Sequence, residues 1–252
     1  MLLIKKKIKS ITIIESWFAK EKVLENGIIH YRQAHKPLGL HPVPFDTLIS
    51  DLTIEEEEIA LNYSKNCRYE IRRAQRDGVT CEYKVGSDIT LEDITEFCNF
   101  FEEFWNSKGI VYTEKDKLFD EIQQYVKVGA FAMAMAFIDS KKIVYHTYIM
   151  DKDIVRLYQS ASKFRVDESI PHTQVGMANR YLHNQDMLYF KQLGKTQYDW
   201  GGAGHSEEVE SITKFKESFG GTPITMYNGE EVVGIKAKLY HGMVEVISKI
   251  TK

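Results

Sequence analysis

The clearest periodicity in the chain lies between Ala130 and Ser162. AFAMAMAF, from Ala130 to Phe137, alternates small and large apolar residues with period two, which predicts a strand packed closely on one face. A turn at Asp139 to Lys142, the segment KIVYHTYIM, a second turn at Asp151 to Asp153 and the segment IVRLYQSAS extend it into an antiparallel meander. On the last of these strands Arg156, Tyr158, Ser160 and Ser162 alternate onto one face. Helical spacing takes over on both sides. Upstream, Thr53 followed by Glu56 has the pattern of a capping box, and NYSKNCRYEIRRAQRDG reads as a helix ending at Gly78 before a strand. Thr90 starts a helix carrying Ile94, Phe97, Phe101, Phe104 and Trp105, and Glu114 to Lys127 reads as another. Downstream, Pro171 sits near the start of a long helix with Val175, Ala178, Leu182 and Tyr189 on one stripe, ending at Gly194. A short strand at Tyr198 to Trp200, a helix from about Glu207 to Phe219 with Val209, Ile212, Phe215 and Phe219 in line, and two last strands split by Asn228-Gly229 complete the order. Residues up to about 50 read as a few strands and loops, and within them HKPLGLHPVPFD, with His35 and His41, is a candidate lid or acceptor-binding loop. The pattern predicts an α/β (α+β) chain, with an N-terminal extension over 1–50 and one domain over 51–252.

Composition narrows the function. Of 252 residues 43% are hydrophobic and 12% aromatic, enough for a sizeable core. The net charge is -3, so no global basic field favours nucleic acid or an anionic membrane as partner. Cys67, Cys81 and Cys98 have neither metal-ligand spacing nor an even count, so free thiols in a reduced compartment are expected and no metal site is. In MLLIKKKIKS the lysines follow the first apolar residues and no cleavage pattern comes next, which is not a signal peptide. The longest apolar run, Ala130 to Ile138, is too short to span a bilayer as a helix, and a cytoplasmic location is expected.

Two motifs near the end of the chain carry the strongest functional signal: YDWGGAG (Tyr198 to Gly204), a strand running into a glycine turn, and FKESFGG (Phe215 to Gly221), the close of a helix. With their order and spacing, and with RYEIRRAQRDGV leading into the first core strand, the chain resembles the Fem-type N-acyltransferases. These are the branch of the GNAT superfamily that includes peptidoglycan bridge-forming aminoacyltransferases. The resemblance covers roughly residues 45 to 228. It implies a GNAT-like fold, a mixed and mostly antiparallel central sheet flanked by helices. It further implies that an acyl thioester lies in a gap where the strands Ile154 to Ser162 and Gln197 to Trp200 splay apart. The donor pyrophosphate is then expected over the segment SKFRVDESIPHTQVG, with Ser160, Ala161, Ser162, Lys163, Arg165 and Thr173 as its candidate contacts. That segment lacks a GxGxxG-like signature, as Fem-type sequences also do.

Direct acyl transfer needs a group to take the proton of the attacking amine, and the candidates are Asp199, His146 and His172. The resemblance implies that Lys216, of the FK pair, stabilises negative charge on the donor or the tetrahedral intermediate. Arg72 and Arg73 lie in the densest basic patch and suit a diphosphate, while Tyr148, Tyr158 and Trp200, on or beside the strands of the reaction region, are further substrate-binding candidates. The expected reaction is transfer from acyl-coenzyme A to a nucleotide-linked amino sugar, as in bacterial surface-polysaccharide synthesis. The alternatives are aminoacyl-tRNA-dependent transfer to a cell-wall precursor and a noncatalytic binding module that kept the fold.

Overall fold

The computed structural model describes residues 1–165, 169–204 and 207–250, the side chains of 207–209 and 245–250 excepted. In chain order the elements are β1 (Leu2–Ile8), β2 (Ile11–Trp17), β3 (Gly27–Ala34), β4 (Leu40–Asp51), α1 (Glu56–Leu61), α2 (Lys65–Arg76), β5 (Thr80–Val85), α3 (Leu91–Asn106), α4 (Lys115–Lys127), β6 (Phe131–Ile138), β7 (Lys141–Met150), β8 (Ile154–Ser162), α5 (His172–Gln192), β9 (Gln197–Asp199), α6 (Glu207–Glu217), β10 (Thr222–Val233) and α7 (Ile235–Ile250). They divide into two compact units, one of Leu48–Thr222 and one of Met1–Thr47 with Pro223–Lys252. Strand order is β4-β9-β8-β7-β6-β5 in the larger unit, which holds β4 from Leu48, and β1-β2-β3-β10-β4 in the smaller, which holds β4 up to Thr47. The pairings are mostly antiparallel; β8 with β9 and β2 with β3 are parallel.

Residues from Pro223 onward cluster with the N-terminal segment, whereas the sequence reading grouped them with 51–222. The reason is the antiparallel pairing of β10 with β3, from Tyr227↔Ala34 to Val233↔Gly27. Asn228-Gly229 does not separate two strands. It forms an irregularity inside β10, where Asn228 Oδ1 accepts the Gln33 N–H at 2.9 Å and a Cβ on Gly229 would lie 2.2 Å from the Leu38 carbonyl oxygen. The chain then forms α7 in place of the second expected strand. HKPLGLHPVPFD, read as a lid or loop, is extended strand from Leu40 onward.

In the larger unit β6, β7 and β8 form the expected meander. β6 is buried on both faces rather than one. Its Ala132, Ala134 and Ala136 share a core cluster with Val175, Ala178 and Leu182 of α5, the small side chains admitting the helix, while the hydroxyl of Tyr145 donates to Met133 Sδ at 3.7 Å. The α3 start is a capping box: Thr90 Oγ1 accepts the Asp93 N–H at 3.2 Å and Asp93 Oδ2 accepts the Thr90 N–H at 2.9 Å. The box expected at Thr53 and Glu56 lies instead at Glu55 and Glu58, because Thr53 donates both its N–H and its hydroxyl to Asp51 Oδ1. Arg180 of α5 ties α2 to the end of α6, with Glu70 at 2.5 Å and Ser218 Oγ at 2.7 Å. Cys67 and Cys98 are buried and Cys81 half-buried, all three as free thiols. No helix among the described residues is long and apolar enough to cross a membrane.

Candidate active site

β9 pairs with β8 only at Ile154↔Gln197, Val155↔Tyr198 and Arg156↔Asp199, and then ends. β8 runs on to Ser162, so its edge from Leu157 opens away from its parallel neighbour. That edge borders a cavity of about 500 Å³, closed by Phe104, Trp105 and Lys108 near the end of α3, Asn179 and His183 of α5, Trp200 to Gly202, and Phe215 and Lys216 of α6. The Trp105 indole Nε1 is buried and has no hydrogen-bond partner among the described residues.

A β-bulge shapes the same edge. The β7–β8 register steps from Thr147↔Gln159 to Tyr148↔Leu157, leaving Tyr158 as the extra residue. The alternation expected for Arg156, Tyr158, Ser160 and Ser162 is therefore broken. Ser160 and Ser162 pair with His146 and Val144, and Leu157 with Tyr148, on the side of α5; Arg156 pairs with Ile149 and belongs to the other side. The Tyr158 hydroxyl donates to Glu121 of α4 at 2.9 Å.

The glycine turn after β9 is a close approach. Gly201 has φ +65°, and a Cβ there would lie 2.9 Å from the Leu157 carbonyl oxygen. Its N–H donates to Asp199 Oδ1 at 2.8 Å, so the buried Asp199 holds the turn. Lys216 Nζ donates to the carbonyls of Gly201 and Gly202 at 2.8 and 2.7 Å. Burial pushes the Lys216 amine down to about 8; Arg156 adds to this and the Asp199 carboxylate opposes it.

From His183, on the cavity wall, a chain of buried polar groups runs inward through Tyr198, Tyr148, Asp186 and His146 and returns to the wall at the half-buried Asn179. His183 Nδ1 lies 2.9 Å from the Tyr198 hydroxyl, which lies 2.9 Å from the Tyr148 hydroxyl, and Tyr148 donates to Asp186 Oδ2. The same carboxylate oxygen is 2.7 Å from His146 Nδ1, and His146 Nε2 is 2.8 Å from Asn179 Oδ1. The two imidazoles stack with centroids 4.0 Å apart. Burial, then the neighbouring His146, Lys216 and Arg180, hold His183 well below the ordinary histidine range, so it is neutral. Burial raises both tyrosines, and it raises Asp186 against the opposing hydrogen bonds from His146 and Tyr148. His146, His183 and Asp186 have the donor types of a metal site, but the stacked rings and the hydrogen bond between His146 and Asp186 already occupy that geometry.

Of the residues singled out in the sequence, Tyr158, Ser160, Ala161, Ser162, Trp200 and Lys216 line the cavity. Trp200 is fully buried and its Nε1 donates to Ser50 Oγ at 2.9 Å. His146 and Tyr148 stand one layer back, with Asn179 between His146 and the cavity. His172 is exposed and stacks on Phe164, centroids 4.6 Å apart, and Thr173 follows it in the first turn of α5. Lys163 pairs with Glu103 at 3.4 Å, and Arg165 lies over the Phe164 ring. Part of SKFRVDESIPHTQVG, residues 166–168, and the Val209 side chain lie outside the described residues. Arg72 and Arg73 project from the exposed side of α2, Arg73 paired with Asp77 at 2.8 Å, and neither lines the cavity. Sequence reasoning missed Asn179, His183 and Asp186, although His183 and Asp186 belong to the buried stripe of a predicted helix and the half-buried Asn179 lies one turn before His183.

No protein-family model and no curated protein matches the sequence. Solved structures match over nearly the whole chain. FemX superposes with a TM-score of 0.65 at 11% identity, covering 96% of this chain and 86% of that one. L-PGS from Bacillus licheniformis superposes at 0.54 and 13%, covering 96% and 84%, and the C-terminal (DUF2156) domain of an Agrobacterium fabrum protein at 0.54 and 13%, covering 97% and 85%. The GNAT-like fold expected from the sequence is the fold of this chain.

Proposed function

We propose that the chain is an N-acyltransferase that moves an acyl group from coenzyme A to the amine of a nucleotide-linked amino sugar by direct attack. The observation that carries this reading is the parting of β8 from β9 after Arg156↔Asp199, with the freed edge forming one wall of the cavity and Lys216 standing in another. An opened strand edge has backbone N–H and C=O groups that no neighbouring strand satisfies, and an extended arm containing amides, such as pantetheine, can pair with them. Lys108, Arg156 and Lys216 bring positive charge to a volume of small-ligand size. Negative charge builds on the acyl oxygen during attack, and a half-buried ammonium already fixed by two carbonyls stabilises it without reorganising. Lys163, Arg165 and Thr173, where the chain leaves β8 and enters α5, are the proposed contacts of the donor diphosphate. Arg72 and Arg73 are proposed for the acceptor diphosphate.

Titrating coenzyme A into the purified protein tests the donor. At a hundredfold excess over Kd, mass action adds about 2.7 kcal/mol, roughly 5–10 °C in Tm for a chain of this size. Thiol release with a panel of thymidine- and uridine-diphosphate amino sugars tests the acceptor. Selective binding of charged tRNA with no response to coenzyme A would replace the donor, and acylation of peptides or polyamines but of no nucleotide-sugar would replace the acceptor.

A further inference from the structure

The hydrogen-bond chain behind the cavity permits a proton inventory. Each tyrosine hydroxyl carries one proton and can also accept. With Asp186 as a carboxylate, which only accepts, the Tyr148 proton goes to its Oδ2; the other near neighbour of the Tyr148 hydroxyl, His146 Nδ1 at 3.3 Å, is itself directed to that same Oδ2 at 2.7 Å. The 2.9 Å contact between the two hydroxyls must then use the Tyr198 proton, donated to the Tyr148 oxygen. The contact between Tyr198 and His183 Nδ1 has only one proton left to draw on, that of the imidazole itself. His183 is therefore protonated on Nδ1 and carries its lone pair on Nε2, which no described residue engages.

Building on the acyl-transfer reading, we propose that His183 Nε2 is the base that takes the proton of the attacking amine, and that Tyr198, Tyr148 and Asp186 are positioning residues that fix this tautomer. His183 lines the cavity beside Trp200, Phe215 and Lys216. In the step itself the amine lone pair forms the C–N bond and the carbonyl π pair moves onto oxygen. His183 Nε2 takes the ammonium proton of the intermediate. As the intermediate collapses the C–S bond breaks, its electron pair leaves on sulfur, and the proton passes from Nε2 to the thiolate. The products are the amide and the free thiol, and the imidazole is neutral again. While it is protonated, its Nδ1–H points down a chain that ends on a carboxylate, which is the orientation that stabilises the cation. The groups facing the ring are Arg180 from α5, His146 from β7, Tyr198 from β9 and Lys216 from α6, with the Asp186 carboxylate of α5 within 4.8 Å of a ring nitrogen. The cations among them, with burial, keep Nε2 unprotonated at neutral pH. His146 has both ring nitrogens engaged and stands behind Asn179, so it supports the network and does not reach the amine.

The tautomer can be read without any substrate. Histidine ¹⁵N NMR of the folded wild type, assigned by comparison with His183→Gln or, if that variant fails to fold, His183→Asn, should show a protonated Nδ1 and an unprotonated Nε2. Tyr198→Phe should move the population toward Nε2–H. A wild-type spectrum with Nε2 protonated and Nδ1 free overturns the inventory whatever the protein's activity. The base role is tested on thiol release. His183→Ala should lower kcat on the order of 10²–10⁴-fold with little change in KM, and added imidazole should restore part of it. Tyr198→Phe should lower kcat about tenfold, reflecting partial loss of the productive tautomer. Active wild type with unimpaired His183→Ala, or a loss that imidazole does not rescue, removes His183 as base and leaves acyl transfer standing. Wild type inactive with every acyl donor removes the acyl-transfer reading and the base role together, and leaves the tautomer to be judged by the spectrum.

Discussion

Lys216 can be tested through stability alone. Its amine, half-buried against the Gly201 and Gly202 carbonyls, titrates near 8 in the folded chain and at its ordinary 10.5 once unfolded. A folded value lower than the unfolded one means that the native state binds the proton less tightly. Below pH 8 both states are protonated and the folded state carries the whole cost, about 3 kcal/mol at 1.36 kcal/mol per unit. Between 8 and 10.5 the unfolded chain binds more protons, so stability rises with pH, and above 10.5 the cost has vanished. Integrated from pH 7.5 to 9.5 the gain is about 2 kcal/mol. Lys216→Met removes the titrating group and so removes the gain. Urea denaturation of both proteins at pH 7.5, 8.5 and 9.5 measures it, and taking wild type minus variant cancels the other titrating groups. Among those are Tyr148 and Tyr198, whose raised pKa values act in the opposite direction at still higher pH. A difference that stays flat within about 0.5 kcal/mol across the series would show that the amine is not held in its depressed state, and the electrostatic argument for Lys216 would go with it.

If the charged amine stabilises the intermediate, turnover falls as pH rises through about 8, and Lys216→Arg moves that limb upward; a limb unmoved by the substitution assigns it to another group. Lys216→Met should lower turnover roughly ten- to a thousandfold with the fold intact, as judged by circular dichroism, and near-wild-type turnover would leave the lysine only its role in holding the turn. Gly201→Ala places a Cβ 2.9 Å from the Leu157 carbonyl oxygen at φ +65°, and thermal denaturation should register a loss of about 1–3 kcal/mol; a loss under about 0.5 would mean the turn relaxes freely. Arg72→Ala should raise KM for the nucleotide-sugar several-fold and leave KM for the donor unchanged, whereas an unaltered acceptor KM would take α2 out of the acceptor site.

The larger unit's meander is legible because period-two alternation survives burial of both faces. In AFAMAMAF the alanines meet α5 and the methionines fill the opposite side, so the pattern identifies the strand although it does not reveal that both sides are covered. Asn228-Gly229 misleads for a definite reason. The dipeptide suits a hairpin turn and a bulge equally well, and the choice falls to the partner strand, β3, which lies far away in sequence. The return of β10 to β3 is also why residues from Pro223 onward cluster with the N-terminal segment, which no local pattern in 223–252 announces.

The cavity shows the same division between local and distant causes. YDWGG and FK are contiguous motifs, and Trp200, Gly201 and Lys216 are found together because strand, turn and helix follow one another directly. The bulge at Tyr158 has no such signature, and a single extra residue is enough to reassign every side chain on one side of it. The polar network falls between these cases. Asn179, His183 and Asp186 recur at helical spacing among Val175, Ala178, Leu182 and Met187, so a stripe examined only for apolar residues passes them over. A buried histidine and a buried aspartate both require partners, and those partners must come from the strands against which the helix packs. His146 and Tyr148 alternate onto that side of β7 and Tyr198 onto that side of β9, so the sequence holds every member of the network. Only the register of β7, β8 and β9 brings the hydroxyls to 2.9 Å and makes the tautomer of His183 a consequence of where Tyr148 spends its proton.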